Sequence, residues 1–253
     1  MQNYKQNKKA IVLLSGGQDS TTCLYWARAN FAQVEAVGFD YGQRHSLELE
    51  CASDICRELG VEFTKYNLPL ISEMTCNALT RQDIEPDLPN RTEVVLDDNN
   101  GMAGGCPTCG SHIVVTNDTM PNTFVEGRNL LFLTYATIHA KQVGSLDIVT
   151  GVSQVDNSGY PDCKESFIRA LEITLSLSTK CMINIHTPLM NLTKAQIWKL
   201  ANDLGVLDIV RYKTITCYRG VKADGCGMCQ ACTLRAKGFR EFLQTQDRGN
   251  QGN

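Results

Sequence analysis

The sequence contains no long apolar run. None of its 253 residues belongs to a segment that approaches the roughly 20 consecutive apolar residues of a membrane-spanning helix. The apolar run at 10–14 is also too short for the central region of a secretory signal peptide. We therefore expect a protein that is neither inserted in a membrane nor exported, and we expect a cytoplasmic location.

The chain also lacks an excess of positive charge. Its formal net charge is −3, whereas proteins that grip DNA or RNA without sequence preference usually carry a basic excess. We expect no nucleic acid partner, although a nucleotide-sized ligand is compatible with this charge. A local group of basic residues near the C-terminus leaves an RNA-binding zinc module open as an alternative. These residues are Lys213, Arg219, Lys222, Arg235, Lys237 and Arg240.

Apolar, strand-like segments recur along the chain with helical patterns between them. This alternation predicts an α/β fold with a parallel sheet. Helical spacing precedes Gly60 and Gly205, and Thr193 with Gln196 forms a capping-box pattern at the start of the second of these helices. The predicted strands are 9–14, 34–39, 61–66, 146–152 and 183–188.

Two regions depart from this alternation. Residues 80–122 are polar, contain proline and glycine, and show little periodicity, so we interpret them as a long loop excursion. The other region is the cysteine-rich tail. The predicted organisation is an ATP-binding α/β domain at 8–210, with the excursion at about 80–120, and a zinc-binding subdomain at 211–245.

The chain has no Walker A pattern, G-x-x-x-x-G-K-[ST], and its first glycine-rich segment is not G-x-G-x-x-G either. That segment, LSGGQDS at 14–20, follows an apolar run and precedes a predicted helix. Free N–H groups at a helix start bind anions. Gly16 and Gly17 allow a close backbone approach, and Ser15 and Ser20 add hydroxyl donors. On the pattern alone, a turn that simply starts a helix explains the segment equally well.

Asp19 is unusual next to a phosphate site. A carboxylate repels phosphate unless a cation bridges the two or the side chain caps the helix. We expect either bound Mg²⁺ or helix capping at this position.

Four segments carry a resemblance to known families. SGGQDS closely resembles S-G-G-x-D-S, the loop of the PP-loop ATP pyrophosphatases, which include GMP synthetase, asparagine synthetase and tRNA-thiolation enzymes. FDYGQRH (39–45), PNTFVEGRN (121–129) and GYPDCK (159–164) are similar to the QueC family, the 7-cyano-7-deazaguanine synthases. This resemblance extends over about 9–240 and excludes the region near 95–117.

The resemblance implies both fold and activity. It implies a Rossmann-like sheet of the adenine nucleotide alpha hydrolase type, flanked by helices, with a small four-cysteine zinc subdomain at the C-terminal end. It implies a carbon–nitrogen ligase that uses ATP, with Mg²⁺, to convert 7-carboxy-7-deazaguanine and ammonia into 7-cyano-7-deazaguanine (preQ0). It also favours a homodimer. An alternative keeps the adenylated intermediate but transfers it to an amine on a protein or small molecule.

The same resemblance, with the local chemistry, selects candidate site residues. Asp19, Lys194 and Arg128 are the candidate catalytic groups, because the two cations lie at helix starts, where a nearby anion would stabilise them. Ordinary surface positions are the alternative for both cations. The expected ATP contacts are Leu14, Ser15, Gly16, Gly17, Gln18, Asp19, Ser20, Thr21, Thr22, Cys23, Leu24, Asp40, Gln43 and Arg44. The expected substrate contacts are Arg128, Asn129, Asp156, Tyr160 and Asp162.

The tail carries four cysteines in the pattern C-x8-C-x2-C-x2-C. Cys217, Cys226, Cys229 and Cys232 supply the four thiolates that a closed tetrahedral zinc site needs. Iron–sulfur ligation is the rival, but the C-x3-C-P continuation of ferredoxins is missing. We expect a structural zinc ion. A further pair in the excursion, Cys106 and Cys109, cannot close a second site alone.

Overall fold

The fold is a five-stranded parallel sheet with helices on both faces. The computed structural model describes residues 6–44, 47–75, 77–81, 84, 121–155 and 159–250, without the side chains of 6–7 and 248–250. Cys106, Cys109 and Asp156 lie outside the described residues. The strands are β1 (Gln6–Leu13), β2 (Phe31–Asp40), β3 (Glu62–Asn67), β4 (Asp147–Val149) and β5 (Asn184–His186).

The sheet has the strand order β3-β2-β1-β4-β5, and every pair is parallel. The chain therefore moves outward in one direction through β3 and then crosses back to β4 on the other side of β1. Such a reversal of strand order opens a crevice at the carboxyl ends of the two central strands.

Helices cover both faces of the sheet because the central strand is apolar on both sides. Successive side chains of a strand point to opposite faces. Ile11 and Leu13 pack in one core cluster, and Ala10 and Val12 pack in the other. The helices are α1 (Gln18–Asn30), α2 (Leu47–Leu59), α3 (Leu70–Met74), α4 (Arg128–Gln142), α5 (Glu165–Thr179), α6 (Lys194–Asp203), α7 (Leu207–Tyr212) and α8 (Gln230–Asn250), with a 3-10 turn at Pro161–Cys163.

The two faces are covered by different helices. Apolar residues of α4 and α5 complete the cluster around Ile11, and those of α1, α2 and α6 complete the cluster around Val12. A third cluster, around Trp198, Val210 and Phe242, joins α6, α7 and α8. The C-terminal helix is thus packed against the α/β core.

Local sequence signals set several of these elements. The capping box predicted for α6 is present: the Gln196 N–H donates to the Thr193 hydroxyl, and the Thr193 N–H donates to the Gln196 side chain. The predicted strands 146–152 and 183–188 are longer than β4 and β5, which have three residues each. The Thr150 N–H still donates to the His186 carbonyl at 3.0 Å, and Gly151 to Ser153 then leave the sheet and line a cavity.

None of the helices in the described ranges combines the length and the apolar character that crossing a membrane requires.

Candidate active site

A cavity of about 370 Å³ lies at the carboxyl ends of β1, β2 and β4. It sits where the strand order reverses, as the topology predicts. Side chains from β2, α1, α2, α4 and α6 contribute to its lining, as do residues of the cysteine-rich segment. Segments far apart in sequence therefore meet at one site.

The glycine-rich loop forms one wall of this cavity. Gly16 has a φ of +87°, and a Cβ at this position would overlap the carbonyl oxygen of Glu48. Glycine is required here because the loop is both left-handed and pressed against α2. The hydroxyls of Ser15 and Ser20 lie 3.0 Å apart. The first turn of α1 begins directly after Gly17, so the backbone N–H groups of a helix start lie beside the cavity.

Asp19 and Lys194 form a salt bridge in the cavity wall. Lys194 Nζ lies 2.8 Å from Asp19 Oδ2, while Asp19 Oδ1 is buried without a hydrogen-bond partner. The N-cap of α1 is Gly17 and has no side-chain cap, so Asp19 does not cap the helix. A buried carboxylate oxygen without a hydrogen-bond partner, beside a glycine-rich loop at a helix start, is a suitable Mg²⁺ ligand.

Arg128 projects into the cavity from the start of α4. Its Nη1 donates to the Tyr41 hydroxyl at 3.3 Å. Burial lowers the pKa of this guanidinium, but the nearby Tyr41, Tyr160 and Asp162 raise it by a larger amount. The pKa of Arg128 therefore lies above its ordinary value. The side chain is therefore a fixed positive charge that faces the cavity.

Glu48, in the first turn of α2, also lines the cavity. Burial raises the pKa of its carboxyl group from 4.5 to about 7, against the opposing effect of Arg128. No motif in the sequence marked this residue, although it comes three positions after the FDYGQRH segment. Its place in the site follows from the contact between α2 and the loop.

The far wall of the cavity contains aromatic and amide groups. The hydroxyls of Thr123 and Tyr160 lie 2.6 Å apart, and Asp162 accepts a hydrogen bond from the Asn129 backbone N–H at 3.1 Å. Asn129 and Tyr160 line the cavity, whereas Asp162 is buried behind Asn129. An aromatic ring with amide and hydroxyl groups suits a planar heterocycle.

The four tail cysteines converge on one point. Their sulfur atoms all lie within 4.8 Å of one another, and Cys232 Sγ is 3.4 Å from Cys229 Sγ and 3.9 Å from Cys226 Sγ. A tetrahedral zinc ion with Zn–S bonds of about 2.3 Å places its sulfurs about 3.8 Å apart. An iron–sulfur cluster places several atoms between its thiolates and needs a wider spacing. The residues fit zinc.

The backbone is shaped to let these sulfurs approach. Gly225 has a φ of +74°, and a Cβ there would overlap Cys232 Sγ. The hydrogen bond between the Cys229 and Cys232 thiols lowers the pKa of Cys229 and raises the pKa of Cys232, so one thiolate is favoured in this pair. Thiolate is the form that binds a metal.

The cysteine segment is also part of the cavity wall. Cys217 and its neighbours Thr216 and Tyr218 line the cavity. The Ile215 N–H donates to the Gly16 carbonyl at 3.1 Å, and the Gln18 N–H donates to the Thr216 hydroxyl at 3.4 Å. The cysteine centre and the glycine-rich loop are therefore directly connected, which the sequence did not reveal.

The structure brings together only some of the sequence-predicted contacts. Asp40 does not line the cavity; it forms a salt bridge with Lys65 at 3.3 Å. Gln18 is buried beside the loop. Thr21, Thr22, Cys23 and Leu24 are buried in α1 and pack under the loop. The predicted site residues that do line the cavity are Leu14, Ser15, Asp19, Ser20, Gln43, Arg44, Arg128, Asn129, Tyr160 and Lys194.

At least three of the six basic residues of the tail are buried or paired. Arg235 is buried and donates hydrogen bonds to Thr214, Thr216 and two backbone carbonyls. Lys213 pairs with Glu58 at 2.6 Å, and Lys237 lies 4.0 Å from Glu241. Burial and pairing leave less positive charge for an RNA backbone than the sequence suggested.

Comparisons with known proteins point to one family. The family model described as "Queuosine biosynthesis protein QueC" matches residues 9–243. A 7-cyano-7-deazaguanine synthase from Clostridium botulinum (strain 657 / Type Ba4) is 50% identical over 235 residues, 93% of this chain and 96% of that protein. The synthase of the same name from Lysinibacillus sphaericus (strain C3-41) is 50% identical over 238 residues, 94% of this chain and 97% of that protein.

Similarity to solved structures is much weaker. A 4-thiouridine synthetase in complex with RNA and bound ATP is 15% identical, with a TM-score of 0.46, and the match covers 97% of this chain and 54% of that one. A likeness at this level assigns no ligand or activity to the chain.

Proposed function

The chain belongs to the QueC family of queuosine biosynthesis proteins, and from this premise we propose that it is a 7-cyano-7-deazaguanine synthase. It uses ATP to convert 7-carboxy-7-deazaguanine and ammonia into the nitrile. The observation that carries the proposal is the convergence, in one cavity, of the glycine-rich loop, the Asp19–Lys194 pair and Arg128.

The first step activates the carboxylate, which is otherwise a poor electrophile. A carboxylate oxygen of the substrate attacks the α-phosphorus of ATP, the bond to the β-phosphate oxygen breaks, and pyrophosphate leaves. We assign the binding of the phosphates to the N–H groups of the loop and to Lys194, and the orientation of the substrate carboxylate to Arg128. Catalysis at this stage is positioning and stabilisation of negative charge.

The next steps replace both carboxylate oxygens by one nitrogen. Ammonia attacks the carbonyl carbon of the adenylate, the bond from that carbon to the phosphate oxygen breaks, and AMP leaves to give an amide. The amide oxygen then attacks the α-phosphorus of a second ATP, pyrophosphate leaves, and the nitrogen loses one of its two protons. Loss of AMP and of the remaining N–H proton gives the nitrile, so each turnover consumes two ATP.

The two metals have different tasks. Mg²⁺ would be held by Asp19 Oδ1 and would neutralise phosphate charge. Zinc would be held by Cys217, Cys226, Cys229 and Cys232. With four thiolate ligands it has no open coordination position, so its contribution is to fix the backbone that contacts the loop.

The alternative acceptor is not supported. The QueC relatives are named as synthases of the cyano compound, and no finding favours transfer of the adenylate to an amine on a partner. The excursion with Cys106 and Cys109 lies outside the described residues.

We further propose that the protein is a homodimer, that it needs no nucleic acid partner and that it acts in the cytoplasm. Apolar side chains exposed on α4 and α5, including Ile138, Ile173 and Leu177, support a second copy as partner. The negative net charge disfavours nucleic acid. The described cysteines are all free thiols, which suits a reducing compartment.

The test is product formation by the purified protein. Incubation with ATP, Mg²⁺, ammonium and 7-carboxy-7-deazaguanine should yield pyrophosphate, AMP and the nitrile, identified by mass spectrometry. Lys194→Met should lower pyrophosphate release by a factor on the order of 10². Lys199→Met, on the same helix but exposed and paired with Asp203, should keep wild-type activity. Failure of the wild-type protein to form pyrophosphate and nitrile would contradict the proposal.

A further inference from the structure

The proposed reaction needs a group that accepts a proton from ammonium. At neutral pH ammonia in water is almost entirely ammonium, which has no lone pair and cannot attack a carbonyl carbon. A base close to the adenylate would allow the abundant cation to serve as the nitrogen source. The requirement for such a base rests on the proposed function.

Two carboxylates line the described part of the cavity, Asp19 and Glu48. Asp19 is engaged by Lys194 at 2.8 Å and faces the phosphate-binding loop. No histidine lines the cavity among the described residues. The Cys163 thiol is a poor base at neutral pH, because burial and Asp162 raise its pKa to about 11. Glu48 is the remaining anionic acceptor.

Glu48 lines the cavity beside the glycine-rich loop. Its backbone carbonyl lies against Gly16, so the first turn of α2 is in contact with the ATP loop. The charged or titratable groups that face it are Arg128 of α4 and Tyr41 at the end of β2. Arg128 is already hydrogen-bonded to Tyr41 at 3.3 Å, and Glu48 itself forms no salt bridge with any described residue.

We propose that Glu48 is the residue that deprotonates ammonium in the cavity. The carboxylate takes one proton from NH4⁺ to give NH3 and a neutral carboxyl group. The nitrogen then attacks the adenylate carbon, and AMP leaves. The attacking nitrogen loses its extra proton to water, and Glu48 later returns its own proton to solvent, so charge and protons balance.

The protonation behaviour of Glu48 suits this task. Burial raises its pKa to about 7, and a general base works best when its pKa is near the working pH. At neutral pH a large fraction of the molecules therefore carries the carboxylate. The neutral acid that forms on proton transfer is also the form that a half-buried site favours.

Glu48→Gln tests the proposal, because the amide has the same shape but cannot accept the proton. At pH 7, with saturating ATP, formation of amide and nitrile from the acid should fall by a factor on the order of 10². ATP–pyrophosphate exchange with the acid, measured without ammonium, should stay close to wild type. The reaction fed with the amide instead of the acid, which needs no ammonium, should also stay close to wild type.

The pH profile provides a second readout. At a fixed total ammonium concentration, the variant depends on free ammonia from solution, so its rate should rise about tenfold per pH unit between pH 6 and 8. The wild-type rate should rise more gently and level off above about pH 7, where Glu48 is ionised. Glu48→Asp should restore part of the activity and the wild-type shape of the profile.

Glu50→Gln is the matched control, since Glu50 lies two positions along α2 and is exposed. It should leave every rate unchanged. The proposal is overturned if Glu48→Gln keeps the wild-type rate and pH profile, or if it slows exchange and the amide-fed reaction as much as the ammonium-dependent reaction. A wild-type protein without any exchange or nitrile would instead reject the proposed function.

Discussion

At the scale of single residues, Gly16 decides how closely the glycine-rich loop at 14–20 approaches α2. Its φ of +87° is left-handed, and an added Cβ would overlap Glu48. Left-handed geometry alone costs an L-residue about 1–2 kcal/mol. Gly16→Ala should lower the free energy of unfolding by more than this amount, because the added Cβ also overlaps Glu48. It should also abolish ATP–pyrophosphate exchange. Chemical denaturation measures the first effect.

Gly60→Ala separates the two causes of this loss. Gly60 also has a positive φ, +63°, but a Cβ there would meet nothing within 4 Å. The Gly60→Ala variant should lose only the stability that left-handed backbone geometry costs, and it should keep full activity. Equal losses of stability in the two variants would show that the contact with Glu48 contributes nothing.

Glu48 also makes stability depend on pH. Its pKa is raised from 4.5 to about 7 in the folded protein, so the folded state holds a proton that the unfolded state has released between these values. Stability from this residue is complete below about pH 4.5 and decreases as the pH rises to about 7. Above pH 7, Glu48→Gln should be more stable than wild type by on the order of 1 kcal/mol.

Denaturant titrations at pH 5 and pH 8 check this expectation. The difference in unfolding free energy between Glu48→Gln and wild type should be larger at pH 8 than at pH 5. Glu50→Gln, at an exposed position, should show no such change. A difference that is the same at both pH values would mean that the carboxylate is not destabilised by burial.

At the scale of elements, the segment between α7 and α8 couples the cysteine centre to the loop. Thr216 accepts hydrogen bonds from the Gln18 N–H at 3.4 Å and from Arg235 Nη1 at 2.7 Å. Cys217 follows directly in the chain, and Arg235 lies one turn after Cys232 on α8. Loss of zinc should therefore disturb both α8 and the start of α1.

Cys232→Ser should reveal this coupling. We expect less bound zinc per chain by elemental analysis, a lower thermal unfolding midpoint, and weaker ATP binding by calorimetry. Cys181→Ser is the control, because Cys181 is a partly buried free thiol away from the cluster. Full zinc content with normal ATP affinity in Cys232→Ser would contradict the coupling.

The elements were predictable where the local signal was strong. The apolar run that predicts β1 and the capping box of α6 are local properties, and the structure confirms both. The end of β4 was not predictable, because the residues after it suit a strand, whereas in the structure Gly151 to Ser153 lie outside the sheet and line the cavity.

At the scale of the whole molecule, exposed apolar side chains support the proposed homodimer. Ile138 on α4 is 52% exposed and Leu177 on α5 is 76% exposed, and α4 and α5 pack on the same face of the sheet. An exposed apolar group of this kind is typical of an association surface. Ile138→Glu and Leu177→Glu should therefore shift the protein toward the monomer.

Light scattering coupled to size-exclusion chromatography measures this shift. Leu243→Glu is the control, since Leu243 is 44% exposed on α8, away from α4 and α5. It should leave the dimer intact. A wild-type monomer, or a dimer that both glutamate variants preserve, would reject this surface.

By itself, the sequence determined the α/β class, the glycine-rich loop at 14–20 and the group of four tail cysteines, because apolar runs, glycine placement and cysteine spacing are encoded over a few neighbouring residues. The predicted division at residue 210 stays a prediction. Only the tertiary structure decided that Glu48 and Tyr218 face the same cavity as Arg128, that Asp40 does not, and that Asp19 pairs with Lys194 instead of capping α1. These contacts join residues that are far apart in the chain. The chain brings these residues together when it crosses from β3 to β4 on the other side of β1, and no local sequence pattern encodes that crossing.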